Sequence, residues 1–148
     1  MDTARRLLLR FGYADGYHDA VSLRDHFRWE DPLDAVRAGP SLHTLEGLVL
    51  AELTRLEYDR GTRRFEAELA WRHSYEAEQH LPHYGRNDLP VCWSLVGYAG
   101  GYASACLGHE IYYRETQCLG AGADHCTLIG RDAAGWGDDI HELRFDFQ

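Results

Sequence analysis

Three cysteines and one glutamate stand in a pattern that core packing alone does not dictate. Cys92 follows Pro90-Val91, Cys118 closes the run Glu115-Thr116-Gln117-Cys118, and Cys126 comes after a further glycine-rich loop. Thiolates joined by one carboxylate suit a tetrahedral zinc ion. Gly120 and Gly122 can take positive φ and turn the loop sharply enough to bring Cys118 and Cys126 to one ion. The spacing is not that of a standard zinc ribbon, and a second reading stands beside the first. Unpaired cysteine is among the most commonly buried residues, so four of them can simply fill space. Cys106 fits that second reading, because it lies mid-helix on an apolar face. A metal held by all four other residues would have no open position and would stabilise the fold rather than activate water.

Such a set needs elements to hold it. The clearest is a strand over Arg64–Trp71, where Phe65, Ala67, Leu69 and Trp71 share one face and Arg64, Glu66 and Glu68 the other. Gly47 to Tyr58 is β-rich and joins it through Asp59-Arg60-Gly61-Thr62, predicting a hairpin. Further strands are expected over His109–Glu115, with Ile111, Tyr113 and Glu115 on one face, and over Cys126–Gly130. Helical spacing runs from Ala4 to about Phe27, with breaks expected near Gly12 or Gly16. A second helix is expected to start at Asp31-Pro32 and to stop at Gly39-Pro40, leaving His43 just beyond it. Ser74 caps a short helix through His80, and Pro90 opens another. In that last helix Val91, Leu95, Tyr98, Ala99, Tyr102, Ala103 and Cys106 recur on one face, and Gly97, Gly100, Gly101 and Ser104 form a stripe that lets a second backbone come close. The expected class is α+β, an antiparallel sheet with packed helices and a zinc-binding strand-loop-strand near the C-terminus. Residues 1–131 are expected to form the functional domain and 132–148 an acidic C-terminal tail.

Composition narrows the function. At 148 residues the chain fits one domain large enough to bury a core without disulfides. It has no apolar run of about eighteen residues to span a bilayer and no secretory signal, so a cytoplasmic compartment with reduced thiols is expected. A net charge of −9, with basic residues scattered among acids, argues against direct nucleic-acid binding. No phosphate-binding glycine loop followed by Lys-Ser or Lys-Thr is present, nor any nicotinamide or flavin motif.

Several stretches occur together: Arg10-Phe-Gly-Tyr-Ala-Asp-Gly-Tyr-His-Asp-Ala20, Gly39-Pro-Ser-Leu-His43, Trp71-Arg-His-Ser-Tyr-Glu-Ala-Glu78, Pro90-Val-Cys-Trp93, Gly97-Tyr-Ala-Gly-Gly-Tyr102 and Tyr113-Arg-Glu-Thr-Gln-Cys118 through Cys126. From about Arg5 to Arg131 the chain resembles the sensory domain of the phenol- and xylene-responsive bacterial sigma-54-dependent activators, within the 4-vinyl reductase domain superfamily. The resemblance implies a non-enzymatic domain that binds a small aromatic effector and relieves repression of an attached or partner AAA+ ATPase module. It makes Cys92, Glu115, Cys118 and Cys126 ligands of a structural Zn2+, His43 and Trp71 a polar clamp on a phenolic hydroxyl, and Tyr113 a pocket-lining residue. An imidazole and a buried indole N–H each need a partner, and one hydroxyl supplies both. A homodimer is implied too, although most of the family's opening segment, which contributes to dimerisation, is missing here. His73 departs from the family, which usually has Asn there. Two other readings remain, a tetrapyrrole-handling reductase after the superfamily's name and a zinc-stabilised adaptor without a small ligand.

Overall fold

The structure, a computed structural model, describes residues 2–148. The elements are α1 (Asp2–His26), α2 (Pro32–Leu45), β1 (Leu50–Asp59), β2 (Arg64–Arg72), α3 (Tyr75–Tyr84), α4 (Trp93–Leu107), β3 (Ile111–Gln117), β4 (Cys126–Asp132), α5 (Ala133–Trp136) and α6 (Ile140–Phe147). The four strands form one antiparallel sheet in the order β1-β2-β4-β3, which makes the fold α+β. No helix is long and apolar enough to cross a membrane.

The period-2 pattern of β2 translates directly into burial. Phe65, Ala67, Leu69 and Trp71 are all buried, while their neighbours are half-buried or exposed. This face packs into the main core together with residues of α4, including Leu95, Val96 and Ala103. Burying a large apolar side chain contributes about 1.5–3 kcal/mol, so the alternation alone fixes which way β2 faces.

Two breaks expected from the sequence are not found. α1 runs unbroken through Gly12 and Gly16, and α2 continues through Gly39 and Pro40 to carry His43 within its last turn. The physical reason in α1 is packing. A Cβ at Gly12 would lie 2.0 Å from the carbonyl oxygen of Ser94, and one at Gly16 would lie 2.2 Å from that of Tyr98. The partner helix reciprocates: a Cβ at Gly97 would lie 2.2 Å from Leu9 O, and one at Gly101 would lie 1.9 Å from Tyr13 O. These glycines therefore mark where α1 and α4 touch backbone to backbone. In α2 the glycine makes room for a ring, since a Cβ at Gly39 would meet the Tyr102 side chain at 3.0 Å. Thr44 Oγ1 donates to Pro40 O in the same helix.

Helix caps follow the sequence more closely. Asp31 accepts from Leu33 N at the start of α2, and Ser74 accepts from Ala77 N at the start of α3. The charged segment after Arg131 forms α5 and α6, which return to the body of the fold with Trp136, Leu143 and Phe147 buried. Phe147 meets Tyr112 edge-on at 5.3 Å, and Arg5 of α1 pairs with Asp146.

The glycine seam yields a stability prediction. Gly101→Ala gains about 1 kcal/mol of helix propensity but forces a methyl group into Tyr13's carbonyl, so a net loss of about 2 kcal/mol is expected. Urea unfolding midpoints of the variant and the parent measure it, and an unchanged midpoint would refute the close approach.

Candidate functional site

The structure brings Cys92, Glu115, Cys118 and Cys126 into one buried cluster whose ligand atoms all lie within 4.8 Å of one another. The Sγ atoms are 3.7–4.0 Å apart, far beyond the roughly 2.05 Å of a disulfide, and all four cysteines of the chain are free thiols. Cys92 precedes the first turn of α4, Glu115 lies on β3, Cys118 follows β3, and Cys126 begins β4. Local bonds already favour negative sulfur, because Leu119 N–H points at Cys126 Sγ and Ser74 Oγ lies 3.1 Å from Cys92 Sγ. Cys92 N–H donates to Glu115 Oε2 at 3.3 Å, while the buried Oε1 has no partner. Burial, reinforced by the Cys118 thiolate, raises Glu115 to about 8. Four acidic groups this close can all ionise only around a cation, so the arrangement suits one metal ion.

Ordinarily the residue before a helix caps it with its side chain. Cys92 does not, and a residue from another helix does so instead. Glu76 of α3 accepts from Ser94 N at 2.9 Å and from Leu95 N at 3.0 Å, satisfying the first-turn donors of α4 and leaving the thiol free to face the cluster.

The other predicted residues meet at a small enclosed chamber of about 30 Å3 between α2, the sheet and α4. His43, Trp71 and Tyr113 all line it. His43 and Trp71 are 6.0 Å apart, ring centre to ring centre, and are 3% and 1% exposed. His43 Nε2 and Trp71 Nε1 are both buried without a hydrogen-bond partner, which normally costs about 1–3 kcal/mol each. Burial also pushes His43 down to about 4, partly opposed by the charge of Asp19, so the imidazole is neutral at pH 7.

Sequence reasoning did not separate several chamber residues from ordinary core. Tyr98 and Tyr102 form its α4 wall, with Tyr98 tilted over His43 at 4.2 Å. Their hydroxyls turn away, to Asp19 Oδ2 and Ala35 O respectively, so neither satisfies the clamp nitrogens. Val36, Leu53 and Leu69 supply aliphatic walls. Gly130 is required as well, because a Cβ there would sit 2.4 Å from the Tyr113 ring. The only sequence signal for these residues was helical spacing at 98, 99, 102 and 103, which core packing shares. His73, the one local departure, has φ 54°, a region where His, like Asn, is among the few tolerated non-glycine residues.

Cluster and chamber share the same strands. Trp71 pairs directly with Cys126 across the β2–β4 ladder, and Tyr113 lies two residues before Glu115 on β3.

Against known families, residues 1–59 match the model described as activator of aromatic catabolism, and residues 71–131 match that of the 4-vinyl reductase domain. The chain is 36% identical over 148 residues to the phenol regulator MopR of Acinetobacter guillouiae, with 98% of this chain covered. It is 37% identical over 141 residues to the transcriptional regulatory protein XylR of Pseudomonas putida, with 93% covered. It spans only 26% and 24% of the lengths of these two relatives. Among solved structures, the phenol-responsive sensory domain of the transcription activator PoxR, crystallised with phenol, superposes with a TM-score of 0.92 at 34% identity, covering 100% of this chain and 73% of that one.

The depressed His43 gives a pH dependence of stability with a definite sign. Between about pH 6.5 and 4 the unfolded chain binds a proton at His43 that the folded chain refuses, so this contribution is favourable above pH 6.5 and is lost as pH falls. The loss is about 1.4 kcal/mol per pH unit, or about 3 kcal/mol over the window. Denaturant unfolding between pH 7 and 4.5 should show parent and His43→Gln stabilities converging on acidification by this amount, and parallel curves would contradict it.

Proposed function

The chain belongs to the sensory-domain family of the aromatic-responsive sigma-54-dependent transcription activators, and from this premise we propose that it is a cytoplasmic sensor of phenol or of small alkyl- or chlorophenols. Its relatives are regulatory proteins rather than enzymes. The observation that carries the reading is the pair of orphaned nitrogens, His43 Nε2 and Trp71 Nε1, facing one apolar chamber. A phenolic hydroxyl complements both: the indole N–H donates to its oxygen, and its own O–H donates to the neutral imidazole. Tyr113 and the aliphatic walls would hold the ring.

Such a site discriminates by polarity. Hydrocarbons of the same shape leave two buried polar atoms unpaired, which penalises them far more than a missing methylene would. The chamber of about 30 Å3 is close to the volume of one water molecule, whereas a benzene-sized guest occupies cavities of about 150 Å3, so the walls must retreat on binding. Movement of that kind in α2 or α4 is the signal we propose the domain passes to an attached or partner AAA+ ATPase module, regulating transcription of aromatic catabolism. Residues 1–131 would form the effector-binding body, with 132–148 leading on from it.

The cluster of Cys92, Glu115, Cys118 and Cys126 is proposed to hold a structural zinc ion. With Zn–S bonds near 2.3 Å, a tetrahedron has S–S edges of about 3.8 Å, and the observed separations of 3.7–4.0 Å fit it. The ion would supply positive charge and a cross-link between α4, β3 and β4. All four positions come from protein, so no substrate would reach it.

Two measurements test these readings. Isothermal calorimetry with phenol should give saturable one-to-one binding that weakens about tenfold or more in His43→Ala and in Trp71→Ala, with benzene much weaker than phenol; no saturable heat with any phenol would overturn the sensor reading. Elemental analysis of chelator-free protein should find about one zinc per chain, and Cys118→Ser should lose both the metal and several kcal/mol of stability. Metal-free protein with unchanged stability would overturn the structural role.

A further inference from the structure

A second cavity lies on the far side of the chamber's wall. The C-terminal turn of α1, the segment leading to α2, and α4 enclose a cleft of about 290 Å3. This is close to the lower size of small-molecule sites, about 300 Å3. Ala20, Ala35, Ala105 and Cys106 form its floor. Phe27 and Trp29 stand together at its edge, ring centres 5.9 Å apart, and Arg24 and Arg28 complete the lining.

Charge sets this cleft apart. The other two large clefts are lined by carboxylates as well as arginines, whereas this one has two guanidinium groups and no carboxylate, in a chain of net charge −9. Acids on the surrounding elements are engaged elsewhere. Asp31 pairs with Arg60 at 2.6 Å, Asp34 with Arg37 at 3.0 Å, and Asp19 accepts from Tyr98, leaving Arg24 and Arg28 without an ion pair among the described residues. Apolar floor, aromatic edge and paired cations together fit a flat ring bearing a negative charge. Arginine suits it doubly, since its planar fork binds a carboxylate through two parallel hydrogen bonds and stacks on aromatic faces.

We propose that this cleft is a binding site for a small aromatic carboxylate of the benzoate class, separate from the His43–Trp71 chamber. The carboxylate would bridge Arg24 and Arg28, and the ring would lie on the alanine floor against Phe27 and Trp29. The chamber excludes such a ligand, because it offers an anion one N–H donor and no cation. The two sites share a wall: Ala35 lines the cleft and its carbonyl accepts from Tyr102, which lines the chamber.

The two cavities carry different tryptophans, so nitrogen-15 NMR of the indole N–H groups distinguishes them. Sodium benzoate titrated into the full chain should shift the Trp29 indole resonance saturably, and should do so equally in His43→Ala, whether or not phenol binds the chamber. In Arg24→Gln/Arg28→Gln, two exposed positions, benzoate affinity should fall about tenfold or more while the chain keeps its folded spectrum. Three results overturn the proposal: no saturation at millimolar benzoate, unchanged affinity in the double variant, or a shift of Trp71 that disappears in His43→Ala, which would place benzoate in the chamber.

Discussion

The backbone contact between α1 and α4 is the constraint from which the rest of the architecture follows. Four glycines let the two helices approach until a methyl group at any of them would lie about 2 Å from a carbonyl of the other. That approach uses up one face of α4 and leaves the face bearing Tyr98, Ala99, Tyr102 and Ala103 to close over the sheet as the chamber's roof. The same helix places Cys92 at its start. Each glycine sacrifices about 1 kcal/mol of helix propensity relative to alanine, and dispersion across a dense interface offsets that loss.

The thiol cluster and the chamber are then coupled through hydrogen-bonded strands rather than flexible loops. Trp71 faces Cys126 across the ladder, so the clamp residue and a cluster thiol share one register position. A slip of one residue between β2 and β4 would turn Trp71 out of the core and separate the cysteines together. Tyr113 is held similarly, between Glu115 on its own strand and Gly130 opposite. A metal at the cluster would therefore act on the chamber by pinning register. The cap from Glu76 completes this arrangement: α4 is terminated by a carboxylate from α3, which spares the cysteine that local rules would have made the capping residue.

Legibility in the sequence followed the range of the interaction that decided each feature. The alternation at 65–71, the Ser74 and Asp31 caps and the hairpin turn depend on neighbours in the chain, and all could be read directly. Gly12, Gly16 and Gly39-Pro40 were read as breaks because local propensity says so, and long-range packing overrode it. The metal-capable set of three cysteines and a glutamate could be suspected from donor chemistry, but the choice against Cys106 and the inclusion of Glu115 needed the family resemblance. His43 alone looked like any core histidine. Tyr98 and Tyr102 gave no sequence signal of their role, since whether a helical tyrosine lines a cavity or fills a core depends on where its hydroxyl finds a partner. Gly130 was invisible for a like reason, its importance lying wholly in the Tyr113 ring opposite.

The protonation state of His43 explains why such a chamber selects neutral phenols. A charged imidazolium there would attract phenolate and carboxylates alike, and the chamber would report any small aromatic acid. Burial instead holds the ring neutral at pH 7, with Nε2 free to accept. An anion entering would shed its hydration for one indole N–H, and the uncompensated cost is several kcal/mol. A neutral phenol, whose pKa lies about three units above physiological pH like that of tyrosine, enters with its one proton pointed at the one acceptor available. Discrimination by charge thus arises from what the chamber withholds, while discrimination by polarity arises from the two nitrogens it leaves unpaired. The acidic surface reinforces the first, because a chain of net charge −9 repels organic anions before they reach it, except where Arg24 and Arg28 stand clear of the surrounding acids.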